Sequence, residues 1–369
     1  MSVRPFVEAD IPQVAALYWN YMRGEKGSPP PTVLAYFKEL YFTENPCIDS
    51  SLPSGVFEDK TGKIVGFLGA VTRKMSVRGQ PIRVGYGGNF IVHPEHRSQL
   101  AALRLLGDLV AGKQDISLTD SANDTGRHLL ERIGFRTIVP FSIHWVRPLR
   151  PAHYAVFNIF RLTGHPVPSS LKFVTKPFCA LADNFAANLS FNPFRRTAPR
   201  MHGADLDVET LLQCLTEFRA GYAIWPEYDL VSLKWLLSFM DRMPARGELR
   251  KIIVRDENQK NLGWYIYYAK PDGVGEVVQI GGDTKFTKHI LDHLFQDAWD
   301  HGVIALHGVA NTRLMPDLSS KNCFFTCRGG WAVAHSRKPE LLELLNRGDA
   351  FLSRLDGEWC LDPGARLDQ

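Results

Sequence analysis

The chain has 369 residues, of which 45% are hydrophobic and 22% charged, with a net charge of +4 at pH 7. That length carries two domains with separate cores, and the composition is ordinary for a soluble globular protein. The small positive excess leaves no footprint for DNA. No stretch reaches the ~18–20 continuous apolar residues of a membrane span, and MSVRPFVEADIPQ lacks the apolar core of a secretory leader, so a cytoplasmic protein is expected. The six cysteines are scattered, and Cys323 and Cys327 alone are close in sequence. One C-x-x-x-C without a second pair reads as free thiols in a reducing compartment rather than a metal or redox motif.

In chain order, residues 11–22 carry apolar side chains at helical spacing (Ile11, Val14, Ala15, Leu17, Tyr18, Tyr21, Met22). Gly27-Ser28-Pro29-Pro30-Pro31 breaks that pattern, and 32–41 predicts a second helix. Residues 55–59 and 64–71 read as a hairpin turning at Asp59-Lys60-Thr61-Gly62, and 75–89 adds a strand pair turning at Arg78-Gly79. Residues 84–135 then give a strand, a polar turn, an amphipathic helix on Leu100, Leu103, Leu106, Leu109 and Val110, a second strand, and a short helix closed by Gly134-Phe135. Residues 137–146 are expected to close the sheet. The turn matters most. Pro94 stops strand pairing, and Glu95, His96, Arg97, Ser98 and Gln99 precede the helix, whose N-terminal N–H groups and positive dipole end suit a phosphate. An ordinary strand–turn–helix connection with a solvated arginine is the alternative.

Residues 148–204 change character: Arg150, Arg161, Lys172, Lys176, Arg195, Arg196 and Arg200 meet one acid, Asp183, with Tyr154 and seven phenylalanines interleaved. One reading is a basic-aromatic surface for a membrane or an anionic lipid-linked substrate. The other, which is favoured, is a linker whose aromatics pack between two domains with the arginines in water. The second half then repeats the first in outline. Helices are expected at 208–220 and 230–243, strands at 249–255, 262–268 and 275–280, a long helix at 286–301, and a strand at 303–308. Asn311 and a short helix follow. Its glycine-rich turn is Gly281-Gly282-Asp283-Thr284-Lys285, with Glu276, Gln279 and Asp283 where a site could lie. The terminal DGEWC, 356–360, is expected to anchor the tail on the second domain.

Val92-x-Pro94-Glu95-x-Arg97-x-x-Leu100-x-Ala102 resembles the acetyl-CoA pyrophosphate loop of the GNAT (GCN5-related) N-acyltransferases. Asn123 followed by Leu129-Leu130-Glu131-Arg132-Ile133-Gly134-Phe135 is similar to the closing motif of that family, and VRPFVEADIPQVAALYWNYM to its first strand and helix. The resemblance covers about residues 1–147. It implies an α/β fold with two GNAT-like domains, each a mixed, mostly antiparallel sheet flanked by helices: 1–147 and 205–369, joined by the packing segment 148–204.

The resemblance also implies acetyl-CoA or another acyl-CoA as donor and an amine of an unidentified small molecule or sugar as acceptor. The expected donor contacts are the amides of Ile91 and Val92, then Arg97, Ser98, Gln99, Leu100, Ala101, Ala102 and Asn123. Tyr86, Asn89, Glu95 and Asn123 are the catalytic candidates, with His93, His96 and Asp120 nearby. No metal is expected, because a tight turn cannot aim His93, Glu95 and His96 at one ion without further ligands. Two residues depart from the family pattern: Leu100 replaces the central glycine of the loop, and Leu130 the tyrosine that protonates the departing thiolate. A Fem-type aminoacyl-tRNA-dependent transferase and a non-catalytic pair of GNAT-like domains are the alternative readings.

Overall fold

The computed structural model of the protein describes residues 2–42, 45–96, 101–163, 169–189, 192–219 and 221–362. Two compact units are present, each assembled from separated stretches of chain. The first opens with β1 (Ser2–Pro5), α1 (Ile11–Leu17, prolonged by one π-helical turn to Met22), α2 (Pro31–Tyr41), β2 (Gly55–Glu58), β3 (Ile64–Val77) and β4 (Gln80–Val92). Arg78 and Gly79, with φ of 49° and 85°, make the two-residue turn that pairs Val77 with Gln80. Such primed turns match the twist of the strands they join. Next come α3 (Ala101–Ala111), β5 (Ile116–Ala122), α4 (Asp124–Arg132) and β6 (Arg136–Thr137).

The chain then leaves this unit. Pro140 sits in a 3-10 turn, Val139–Phe141, and the Ser142 hydroxyl donates to the Ile138 carbonyl, so the extended run expected over 137–146 is broken. The next strand, β7 (His144–Pro148), pairs in the other sheet. It is followed in the second unit by α5 (Pro151–Thr163), α6 (Ser169–Asn188), β8 (His202–Asp205) and α7 (Val208–Glu217). Residues 221–245 return to the first unit as β9 (Ile224–Pro226), which pairs with β3, and α8 (Leu230–Asp241). The second unit resumes with β10 (Glu248–Arg255), β11 (Asn261–Ala269), β12 (Val274–Gly282), α9 (Thr287–Asp300), β13 (Ala305–Val309), α10 (Met315–Ser320) and β14 (Phe324–Thr326). Finally β15 (Trp331–His335) and α11 (Pro339–Asn346) rejoin the first.

The two sheets run β1-β2-β3-β4-β5-β15-β6, with β9 on β3, and β14-β7-β13-β12-β11-β10-β8. Both have one parallel step, β4–β5 and β12–β13, among antiparallel ones. Each places a strand from the opposite half of the chain between its parallel step and its last strand: β15 between β5 and β6, β7 between β13 and β14. The chain therefore changes unit after residues 142, 220, 245 and 328, rather than at 147 and 204. Leu52, Phe57, Val65, Leu68, Leu105, Leu106, Leu109, Phe135 and Val333 form a core of the first unit. In the second, Trp145, Tyr265, Tyr267, Leu291, Leu294 and Leu306 do so.

Candidate active site

β4 and β5 are hydrogen-bonded over three residue pairs only, Val84–Ile116, Gly85–Ser117 and Tyr86–Leu118. Beyond Tyr86 the two strands separate, and a cavity of about 580 Å³ occupies the wedge. Gly87, Gly88, Asn89, Phe90 and Val92 of β4 form one wall, and Leu118, Thr119, Ser121 and Ala122 of β5 the other. Helix α3 contributes Ala102, Leu106 and Leu109, and α4 contributes Asn123, Thr125, Gly126, Leu129 and Leu130. The apolar floor continues to Leu68 and Phe135. A smaller cavity of about 80 Å³ is lined by Tyr41, Tyr86, Leu361 and Asp362, and shares Met22, Gly88, Asn89, Ser121 and Glu358 with the first.

The wedge owes its shape to a break in β4. The register against β3 slips between Gly69–Gly88 and Phe67–Ile91, and Asn89 takes a left-handed conformation at φ 50°. Asparagine is among the few residues that tolerate this. Its side chain is fixed as well: Nδ2 donates to the Tyr36 hydroxyl at 2.9 Å and the Tyr41 hydroxyl at 2.8 Å, and Tyr36 donates onward to the Leu361 carbonyl at 2.9 Å.

Glu358 closes the polar end, and Asp120 holds the turn that carries it. Glu358 reaches the cavity from the turn 356–360, and its Oε1 accepts from the Thr119 hydroxyl and, at 2.6 Å, from the Ser121 hydroxyl. Asp120, on the same strand, accepts from the Glu358 backbone N–H at 3.1 Å and that of Trp359 at 3.4 Å. Two glycines make room for this. A Cβ on Gly88 would stand 2.7 Å from Glu358 Oε2, and one on Gly357 would stand 1.7 Å from Asp120 Oδ2. The turn itself rests on Asp356, fully buried, which accepts from Tyr228 at 2.6 Å and from the Ser353 N–H and hydroxyl at 2.7 Å each; Arg73 donates to its carbonyl at 3.0 Å. Burial, with the Glu358 charge beside it, pushes Asp120 up to about 7, and burial raises Glu358 against its hydroxyl donors. A carboxyl group poised near neutrality can take a proton at physiological pH.

The expected site residues fall in several places. Val92, Ala102, Asn89 and Asn123 line the large cavity, whereas Ile91 and Ala101 are buried beside it. Asn123 caps α4, its Oδ1 accepting from the Gly126 N–H at 2.8 Å. Tyr86 is buried on the small cavity, its hydroxyl held far above the ordinary range by burial and by the charges of Asp356 and Asp120. Glu95 is exposed on the turn Pro94–His96, outside both cavities. Arg97, Ser98, Gln99 and Leu100 lie outside the described residues. The turn does bring ligand atoms of His93, Glu95 and His96 within 4.8 Å of one another, closer than its tightness suggested. His93, however, meets the Tyr21 hydroxyl at 2.7 Å through Nε2 and the Glu95 N–H at 3.3 Å through Nδ1.

Glu358 escaped sequence reasoning altogether, because DGEWC was expected on the second domain and instead belongs to the first unit. Asp120 was expected near the cofactor end, alongside His93, Glu95 and His96. In the second unit, Glu276 pairs with Arg246 at 2.7 Å, Gln279 is buried against Trp264 at 2.8 Å, and Asp283 caps a 3-10 turn.

No family model matches the chain, and no curated protein is similar to it in sequence. Solved structures are similar in fold. A probable N-acyltransferase of unknown function from Enterococcus faecalis V583 is 13% identical, with a TM-score of 0.57 over 91% of this chain and 72% of that one. A GCN5-related N-acetyltransferase from Anabaena variabilis ATCC 29413 is 12% identical, with a TM-score of 0.56 over 92% and 73%. Saccharomyces cerevisiae N-myristoyltransferase with bound myristoyl-CoA is 10% identical, with a TM-score of 0.51 over 90% and 77%. At these identities the likeness is one of fold: the chain has the GNAT fold of N-acyltransferases.

Proposed function

We propose that the first unit is an N-acyltransferase that takes its acyl group from acyl-CoA, with the donor in the wedge between β4 and β5. One observation carries the reading: an apolar cavity opened by strand separation ends at the Glu358 carboxyl, whose affinity for protons is raised. The thioester end of the donor then sits beside the β4 backbone past the bulge, where main-chain N–H groups can stabilise the oxyanion. Glu358 takes the proton of the attacking amine, burial keeps its basicity high, and Thr119 and Ser121 fix its orientation. The diphosphate is assigned to the turn before α3, on the resemblance of its sequence. Leu130 holds the apolar wall in place of the family's tyrosine, so the departing thiolate draws its proton from another group or from solvent.

The floor of the cavity favours a longer acyl chain than acetyl. Leu68, Leu109, Leu118 and Phe135 line it, more apolar surface than an acetyl methyl group can cover, and a Cβ on Gly87 would meet Leu109 at 3.1 Å. The N-myristoyltransferase similar in fold carries myristoyl-CoA.

Calorimetry with CoA and acyl-CoAs from acetyl to palmitoyl, followed by acceptor screening, tests the donor. Affinity should rise with chain length, and no binding of any acyl-CoA would end the proposal. For the base, Glu358→Gln should lower kcat by about 10²–10⁴-fold with donor affinity unchanged. An unaltered kcat would remove Glu358 from the mechanism.

A further inference from the structure

We propose that the outer face of the α5–α6 hairpin docks on an anionic lipid surface. The observation is an inverted amphipathic helix. Along α6, Phe178, Leu181 and Phe185 recur at helical spacing and are 70%, 71% and 70% exposed, and Ile159 of α5 is 60% exposed. The face turned inward carries Asp183 at 2% and Ala187 at 4%. Asp183 accepts from the Ala152 N–H at 2.7 Å and the His153 N–H at 3.2 Å, and meets His153 Nδ1 at 2.6 Å, which fastens the start of α5 to α6. A water-facing helix puts its acid outside and its phenylalanines inside. Single exposed apolar residues are commonplace, but three large ones in register on one helix mark a surface that something covers. The aromatics expected to pack between domains are, at Phe178 and Phe185, turned to solvent instead.

Charge selects the occupant. Residues 151–200 hold six Lys or Arg, and Asp183 is their only acid. The excess of five exceeds the +4 of the entire chain, and the single negative charge is the one withdrawn from the surface. Lys176, next to the stripe, is 61% exposed and meets only the equally exposed Asp272, a pairing that an anionic surface can replace. An apolar groove on a protein partner would call for the stripe but not for the basic excess of this segment, whereas an anionic headgroup layer over acyl chains calls for both. Among the described residues no helix is long and apolar enough to cross a membrane, so the contact is interfacial. This inference stands independently of the acyl-transfer reading, since the hairpin belongs to the second unit.

The test is co-sedimentation of the full chain with vesicles of phosphatidylcholine alone and of phosphatidylcholine mixed with phosphatidylserine. Wild type should pellet with the mixed vesicles, less so in high salt. Phe178→Ser/Leu181→Ser/Phe185→Ser should lower the bound fraction at least about tenfold. Phe178→Leu/Phe185→Leu, which keeps the face apolar, should retain binding and so separates loss of the face from loss of fold. Failure of wild type to pellet with anionic vesicles, or equal pelleting of the serine variant, overturns the proposal. So does a wild-type dimer that the serine substitutions dissociate without any vesicle binding, which would assign the stripe to a second copy of the chain.

Discussion

Asp120 and Glu358 illustrate how much one local arrangement can fix. Each carboxyl is partly shielded from water, the Glu358 charge raises Asp120, and each has partners that hold its geometry. Asp120→Asn removes one charge and keeps an acceptor for the Glu358 and Trp359 N–H groups. The pair titrates as a unit, and with one of its carboxyls gone the rising limb of kcat/KM should move to lower pH by roughly one unit. A limb that stays in place would show that the two groups titrate independently. The same substitution has a stability signature. A carboxyl whose folded pKa is raised to about 7 holds a proton that the unfolded chain has already released. Its contribution is therefore complete below the ordinary carboxylate range and is lost as pH rises through about 7. The asparagine cannot ionise. Relative to wild type, the variant should gain stability as pH rises from the ordinary carboxylate range through about 7, read as a Tm difference that widens over that interval. A Tm difference that does not change with pH contradicts the raised pKa.

Among the elements, β4 sets the geometry of the site, and Asn89 sets β4. The positive φ costs a residue with a Cβ about 1–2 kcal/mol, and the two tyrosine hydroxyl contacts return about 1 kcal/mol each. Asn89→Ala keeps the strain and loses the contacts, so denaturant unfolding should show a loss of about 2–3 kcal/mol. Asn89→Gly loses the contacts without the strain and should cost less, despite the entropy of glycine. Alanine proving no worse than glycine would mean that the bulge relaxes. At this scale much was legible in the sequence. The Arg78-Gly79 turn, the strand over 64–71 and the short helix after Asn123 all act over a few residues, and each was found where expected. The stripe of α3 is displaced, with Leu105, Leu106 and Leu109 buried and Leu103 exposed. The bulge was not legible, because it arises where β3 and β4 fall out of step against a core that local pattern does not encode. The inverted face of α6 escaped for a related reason: helical spacing shows that Phe178, Leu181 and Phe185 share a face, but not which way that face turns.

For the molecule as a whole, the deciding fact is that neither half of the chain contains its own sheet. HWVRP of β7 and WAVAH of β15 are short, each with one tryptophan and one valine, and nothing within them says which sheet they enter. Proximity in sequence suggested that 137–146 closes the first sheet, and long-range pairing overrode it. Glu358 reaches Asp120 by the same route, 238 residues along the chain. This topology carries a consequence for folding. Residues 1–147 include the loop and the closing motif that resemble the family, yet they lack β15, which lies between β5 and β6 and pairs with both. They also lack β9 on β3 and the turn that fills the space beside Gly88. Without β15, β5 presents an open hydrogen-bonding edge and β6 has no neighbour, while Val333 is missing from the core around Phe57 and Leu105. A fragment of residues 1–147 should therefore show no cooperative thermal transition and no affinity for acyl-CoA, whereas the full chain shows both. A sharp two-state melt of that fragment would mean that the first sheet is stable without the strand from the far end of the chain, and that the exchange is an addition to the fold rather than a condition of it.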